Sequence, residues 1–336
     1  MTFEERVRGL DPFGFTPRQA RFVATVALHG GYCLRRQYAR FAGIGYGKNV
    51  RDFLDDTVER QLAVRFTIRP DRGHLYHFHA RPLYRLLGQE DNRNRRQASA
   101  SLVARKLMVL DHVLAHPTVQ WLATEDDKVG LFADHLGVRR SDLPQRAFRS
   151  AEPGGDTTTR FFPHKMPIAL AGTPPVPRFV VLVTEPSGWS FGQFLSEHAR
   201  LFQHLPEWSV SAVGPRLTVA SRAIRRTFDT FLDRPSAIFS VRPEEVRWYF
   251  AKRRFVDAGE LGRLSVADID RFRRLRERLT VPAVESLYRA WLKDGDLALS
   301  ARQVGSPQST AVSLGCLEIE GLPFDYSQFG SLPGVA

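Results

Sequence analysis

Residues 15–79 read FTPRQARFVATVALHGGYCLRRQYARFAGIGYGKNVRDFLDDTVERQLAVRFTIRPDRGHLYHFH. Thr16 can cap a helix with Pro17 at its first position, and Phe22, Val23, Val26 and Ala27 recur behind it at helical spacing. His29, Gly30 and Gly31 close that helix. A second, short helix is predicted from about Leu34 to Ala42. Gly43-Ile44-Gly45-Tyr46-Gly47 then supplies three residues free to take positive φ, as a tight turn demands. A third helix, about Lys48 to Gln61, places Val50, Phe53, Leu54 and Val58 on one face and leaves Lys48, Asn49, Arg51, Asp52, Asp55 and Glu59 on the other. Leu62 to Ile68 and His74 to Phe78 alternate like two strands about Pro70-Asp71-Arg72-Gly73. Three helices, a glycine turn and a hairpin make the pattern of a winged helix-turn-helix.

That pattern carries expectations for single residues. Arg35, Arg36 and Arg40 would lie on phosphate from the second helix, while Lys48, Asn49 and Arg51 would enter a major groove. Asn49 suits adenine and Arg51 suits guanine. Arg69, Arg72 and His74 would touch the backbone or minor groove from the wing. The same three helices and hairpin also serve as protein-interaction scaffolds, and that alternative stays open.

The chain of 336 residues is 43% hydrophobic and 25% charged, which describes a globular protein able to bury a core in two or three domains. Its formal charge of +12 favours a polyanionic partner, double-stranded DNA foremost. Residues 1–96 hold 18 Lys and Arg against 10 Asp and Glu, so most of the surplus sits on the reader. Only 6 of the 48 basic residues are lysine, an excess of arginine that a GC-rich genome would also produce. Cys33 and Cys316 form no CxxC pair, which argues against a zinc knuckle or disulfide framework and for a cytoplasmic location. No apolar run has the length to span a bilayer.

Beyond the wing, Pro82 to Leu87 suggests a helical turn and Gly88 to Arg96 a surface connection. Leu102, Val103, Leu107, Leu110, Val113 and Leu114 mark a linking helix from Gln97 to His116, where a homodimer could pair. Val119 to Ala123 reads as a strand, Asp126 to Leu136 as a helix and Arg139 to Thr159 as a loop. Phe161 to Leu170 and Arg178 to Thr184 read as strands, Ser190 to Leu205 as a helix, Trp208 to Val213 as a strand and Leu217 to Leu232 as a helix. The order implies a mixed, helix-rich α/β fold. The domain division is a winged helix-turn-helix over 1–88, a linking helix over 89–117, a mixed α/β unit over 118–235, a basic helical region over 236–305 and a loosely ordered tail over 306–336. A strand at Leu314 to Ile319 would lie at an edge.

A winged helix, a long linking helix, a strand carrying FFPHK and a strand reading RFVVLVTEPSG together resemble the replication-relaxation type of protein found on plasmids and other mobile elements. The resemblance covers residues 16 to 215. It implies action in replication, transfer or transcriptional control beside replication or transfer proteins. The second half of such proteins is similar to a reduced PD-(D/E)XK nuclease core, in which an Asp on one strand and an acid followed two residues later by Lys on the next hold Mg²⁺ and support the attacking water. Here His164 stands at the first carboxylate position, Glu185 is the strand-end acid and Ser187 follows two residues on. Lys165 could substitute from the other strand. One carboxylate holds Mg²⁺ poorly, so the expectation is an inactive scaffold with no cofactor. An Mg²⁺-dependent DNA nuclease with an atypical site at Glu185, Lys165 and His164 is the alternative.

Other constellations are thin. His74, His77 and His79 are read as exposed wing residues touching phosphate rather than as zinc ligands, and no metal site is assigned. The glycine turn lacks the spacing of a phosphate-binding loop. Glu125, Asp126 and Asp127 suit a helix start. Helices from Pro243 to Phe255, Val266 to Leu279 and Ala283 to Leu292 follow, the first two basic and amphipathic. Arg226, Arg253, Arg254, Arg273 and Arg274 are candidates for a second contact surface, with the neighbouring aromatics either stacking bases or filling a core.

Overall fold

In a computed structural model, residues 1–68, 73–149, 157–172, 175–233, 243–279, 282–296, 314–324 and 326 are described. Helix α1 (Phe3–Arg8) and helix α2 (Pro17–His29) each begin with a reciprocal cap, Thr2 with Glu5 and Thr16 with Gln19, which satisfies backbone donors that a helix start leaves open. A short strand β1 (Tyr32–Leu34) leads into α3 (Arg35–Ala42), which stops at Gly43 in the left-handed region, φ 64°. There a side chain would be strained. Helix α4 (Lys48–Glu59) follows, then strands β2 (Ala63–Ile68) and β3 (Gly73–Phe78) and helix α5 (Arg81–Leu86). The three strands form an antiparallel sheet in the order β1-β3-β2, with Leu34 opposite Leu75 and Phe66 on its other side.

The apolar faces expected for these helices are buried together. Phe22, Val26, Tyr38, Val50, Phe53, Leu54, Tyr76 and Phe78 belong to one core, in which the rings of Tyr38 and Phe53 lie 4.4 Å apart. Strand β1 escapes the sequence pattern because three residues are too few to show alternation. Its partner β3 supplies the pairing instead.

Helix α6 (Ala100–Ala115) does not serve as an exposed linker. Leu110 and Leu114 enter the first core, whereas Val103, Leu107 and Met108 join Tyr32 and Leu34 against Val180, Leu182 and Val213. The helix is therefore filled on both sides within one chain. Ser101, Leu102 and Arg105 in its first turns stay exposed, so pairing of two copies through Gln97 to His116 has that narrower face left to it. The amphipathic pattern looked exposed because the sequence does not show which second surface covers it.

The remaining elements build a mixed sheet. Strand β4 (Gln120–Leu122) is followed by α7 (Glu125–Val129), which runs on into a wide helical turn at Gly130–His135, and by a hairpin of β5 (Gln145–Arg149) and β6 (Thr157–Phe161). Strands β7 (Ile168–Ala171) and β8 (Val176–Leu182), helix α8 (Trp189–His204) and strand β9 (Glu207–Pro215) come next. Helices α9 (Arg216–Val219), α10 (Arg222–Asp233), α11 (Pro243–Asp257), α12 (Val266–Leu279) and α13 (Pro282–Asp294) precede β10 (Leu314–Leu322). The five-stranded sheet has the order β10-β9-β8-β7-β4. Strands β8, β9 and β10 run parallel, and β7 and β4 pair antiparallel.

Strand β9 is buried from Trp208 to Gly214, as a central strand covered on both faces must be. Helix α6 covers one face; α8 and α10 cover the other, where Phe202 stacks on Trp208 at 3.8 Å. Three sequence expectations change here. The FFPHK segment is not one strand with Ile168 to Leu170, because Phe162 and Lys165 take positive φ and Pro163 and Pro167 lack ladder donors, so a turn separates β6 from β7. The expected loop from Arg139 to Thr159 contains β5 and the start of β6, whose exposed Thr and Arg side chains give no alternation. The helix expected over Leu217 to Leu232 breaks after Val219 into α9 and α10. The edge strand expected at Leu314 to Ile319 is present as β10 and runs on to Leu322.

Helices α11 to α13 have a core of their own, with Tyr249, Phe250, Phe272, Leu275, Leu279 and Tyr288 buried.

Candidate nucleic-acid interface

Helix α3 is fixed from behind. Gln37, fully buried, accepts a hydrogen bond from the Leu34 amide at 2.9 Å and donates to the Leu107 carbonyl at 3.1 Å, which pins α3 onto α6. Arg36 makes two 2.7 Å hydrogen bonds to Asp111, itself 1% exposed, and its guanidinium lies 3.6 Å from the centre of the Phe324 ring. The Tyr326 hydroxyl donates to the same carboxylate at 2.7 Å. Arg35 donates through Nε to the Tyr76 hydroxyl at 2.8 Å and through its terminal nitrogen to Asp55 at 3.2 Å. Burial would raise the Asp55 carboxyl, but the Tyr76 hydroxyl, Arg35 and Arg65 together hold it below the usual carboxylate range.

These arginines are braces inside the protein. The expectation that Arg35 and Arg36 lie on phosphate is corrected, because each already has a carboxylate at ion-pair distance. Arg40 remains exposed, in the field of Glu320.

Helix α4 presents the opposite situation. Its buried side is Val50, Phe53, Leu54 and Thr57, which leaves Lys48, Asn49 and Arg51 of the first turn exposed, beside Tyr46 at 68% exposure. Lys48 and Arg51 contact Asp52 only loosely, at 4.0 and 3.9 Å. Ion pairs that exposed contribute about 0–1 kcal/mol, so a competing phosphate can displace them. The amides of the first helical turn add partial positive charge at the same end. Further along, Asp55 and Asp56 are occupied by Arg35, Arg65 and Arg60, and Glu59 points to solvent. The first turn of α4 is the part of the helix where exposed cations outnumber acids, with Asp52 the one acid beside them.

Strand β2 packs on α4 and pairs with β3. Arg69 and Arg72 lie outside the described residues. His74 is half-buried, its Nδ1 has no hydrogen-bond partner, and burial followed by Arg35 and Arg65 pushes its imidazole below the ordinary range. His77 stacks on Tyr32 with ring centres 4.1 Å apart, its Nε2 bonds the Asn94 carbonyl, and burial lowers it to about 4. His79 is likewise lowered by burial and then by Arg95. His77 is buried, so its reading as an exposed wing residue is corrected, whereas His74 and His79 are partly exposed. Alternation alone placed His77 and His79 on one face, but it could not reveal that Tyr32 covers that face.

Two exposed residues beside α4 were missed. Arg65 reaches Asp55 from β2, and Tyr46 projects from the glycine turn. A basic residue within the strand and an aromatic one between glycines were the available signals.

The candidate catalytic residues do not converge. His164 sits in the turn before β7 with Nε2 2.6 Å from Glu197, and Lys165 is exposed, its amine lowered by desolvation, then by Arg93 and Arg160. Glu185 lies past the end of β8 without an ion pair, and Ser187 accepts the Trp189 amide at the start of α8. The cavity beside His164 and Lys165 is walled by Phe162, Phe179, Phe194 and His198, with no carboxylate in its lining. Burial lowers His198 to about 3, which removes it as a proton carrier near neutrality. The three acids at Glu125 are used structurally, Asp127 capping α7 and pairing with Arg6 at 2.8 Å.

The second basic surface is only partly available. Arg226, Arg254, Arg273 and Arg274 are exposed, but Arg253 lies over Tyr288 at 4.2 Å and pairs with Asp257 at 3.5 Å. Tyr249 and Phe272 stack on each other inside the core, so they cannot stack bases. Helix α10 packs on α8, whereas α11 and α12 pack on one another, and Arg226 therefore belongs to a different layer.

No protein-family model, curated protein or solved structure matches this chain. Among the described residues no helix is long and apolar enough to cross a membrane.

Proposed function

We propose that the chain binds double-stranded DNA through a winged helix-turn-helix formed by α2, α3, α4 and the β2–β3 hairpin. The observation that carries this reading is the exposed first turn of α4, where Lys48, Asn49 and Arg51 follow a glycine turn and meet only loose contacts from Asp52 at 3.9 to 4.0 Å. Asn49 reads adenine, Arg51 reads guanine and Lys48 neutralises phosphate. Arg40 flanks the groove, Arg65 is held by Asp55 at 3.1 Å and adds to the positive field rather than a free contact, and Arg69 and Arg72 are proposed as further DNA contacts. The resemblance to replication-relaxation proteins sets this binding in replication, transfer or transcriptional control of a mobile element. The sheet of β4, β7, β8 and β9 acts as a scaffold related in pattern to a nuclease core, and a partner performs any strand cleavage.

The test is selection of bound fragments from random DNA by the full chain at two salt concentrations. A recovered motif, with affinity falling steeply as salt rises, supports the reading, since each neutralised phosphate adds about −0.9 to the slope of log K against log salt. Absence of binding at low salt would leave the protein-interaction scaffold. Plasmid cleavage with Mg²⁺ or Mn²⁺ that disappears in Glu185→Gln would establish the nuclease instead.

A further inference from the structure

Helix α6 ends in the sequence His112-Val113-Leu114-Ala115-His116, which sets two imidazoles one turn apart on the same side. Strand β10 brings Glu320 to them across more than 200 residues of chain. His112 Nδ1 is 2.9 Å and His116 Nε2 is 3.6 Å from Glu320 Oε2, and one ligand atom from each of the three residues falls within 4.8 Å of the others. We propose that His112, His116 and Glu320 bind a divalent transition ion, Zn²⁺ by preference, with an open fourth position.

The donor set is that of such an ion, two imidazole nitrogens and one carboxylate. The separations of 2.9 and 3.6 Å from Glu320 to the two imidazoles bracket the edge of a tetrahedron built on bonds of about 2 Å. His116 Nδ1 lies 2.9 Å from the His112 carbonyl. Donation of its proton there leaves the Nε2 lone pair facing Glu320, the arrangement by which a backbone carbonyl orients a ligating histidine. Without an ion that lone pair meets a carboxylate oxygen, two acceptors with a proton or cation wanting between them. His112 is 1% exposed and its Nε2 has no hydrogen-bond partner. For Nδ1 to bind the ion, the single proton of the neutral His112 ring moves from Nδ1 to Nε2, on a ring held in T-shaped contact with Trp121. The site also lies at the C-terminal end of α6, where open carbonyls favour a cation. Arg40 is the charge set against the ion, and Glu320 faces it across the exposed side.

The consequence is mechanical. Helix α6 and edge strand β10 are joined at the place where Asp111 holds Arg36 and Tyr326, so the ion fastens the end of the sheet to the helix beneath the reader. This inference is independent of DNA binding.

The experiment uses untagged full-length protein stripped with a chelator and titrated with Co²⁺, whose visible spectrum reports tetrahedral nitrogen and oxygen ligation. Wild type is expected to take up one ion per chain, to release it to Zn²⁺, and to unfold at higher temperature with Zn²⁺ than without. His116→Ala and Glu320→Gln should each weaken Co²⁺ binding at least tenfold, while the unfolding temperature of the stripped protein changes little for the half-exposed His116. Absence of the spectrum in wild type, or its persistence in the doubly substituted protein, would overturn the site. A stripped His116→Ala protein that is folded by circular dichroism distinguishes lost ligation from lost structure.

Discussion

Helices α3 and α4 are adjacent, similar in sequence character and opposite in what they do with their charge. Helix α3 begins Arg35-Arg36 and turns both guanidinium groups toward the protein's own acids, Asp55 and Asp111. Helix α4 begins Lys48-Asn49 and leaves its first turn to solvent. Proximity to the glycine turn does not decide which cation is available; the location of the matching carboxylates does. Asp111 lies on α6 and Asp55 on α4, both on the inner side of α3, so arginines there are drawn inward.

Removing a brace from α3 should produce the largest effect. Arg36→Ala strips two charged hydrogen bonds from Asp111, which stays almost fully buried with only Tyr326 still donating. Breaking one side of a buried pair costs about 3–5 kcal/mol. Urea unfolding should show that loss, and DNA affinity of the protein remaining folded should change little. Unaltered stability with abolished binding would mean that Arg36 leaves Asp111 to reach phosphate, and the contrast between the helices would collapse.

The reciprocal change on α4 should move binding and leave stability alone. Arg51 is exposed and touches only Asp52 at 3.9 Å, so Arg51→Ala should alter folding by no more than about 0.5 kcal/mol. Loss of a bidentate contact to guanine costs about 1–3 kcal/mol on the preferred base and nothing on the others. Competition binding with sequences varied at that position measures the difference. Equal losses on every sequence would make Arg51 a phosphate contact rather than a reader.

How much of this was legible in the sequence follows the same division. The faces of α2 and α4 were readable because caps, glycine breaks and helical period are local, and the predicted helix over Val266 to Leu279 coincides with α12. The strand of β8 was readable from its apolar run Phe179-Val180-Val181-Leu182. The burial of α6, the fate of Arg36 and the enclosure of His77 were not, because each depends on a partner remote in sequence: the β8–β9 face, Asp111, and Tyr32 with Asn94. Glu320 is the extreme case, since a segment expected to be a loose tail supplies the carboxylate beside His112 and His116. Charge and period show what a segment offers, whereas availability is set by contacts that close over long loops.

The smallest predicted effect has the opposite sign from the others and tests the contrast most directly. Asp52 is the acid nearest the exposed turn, 4.0 Å from Lys48 and 3.9 Å from Arg51. If those cations are held in reserve for DNA, Asp52 competes with phosphate for them and also repels the approaching backbone. Asp52→Asn removes both effects while preserving the shape of the side chain. Exposed pairs of this kind are worth about 0–1 kcal/mol, so DNA affinity should rise by a factor of up to about five, with the gain shrinking as salt screens the carboxylate. Anisotropy titrations of both proteins on one duplex at low and high salt measure that change. Weaker binding by Asp52→Asn would mean that Asp52 instead orients Lys48 and Arg51, and α4 would then use its acid as a brace in the same way that α3 uses Asp55 and Asp111.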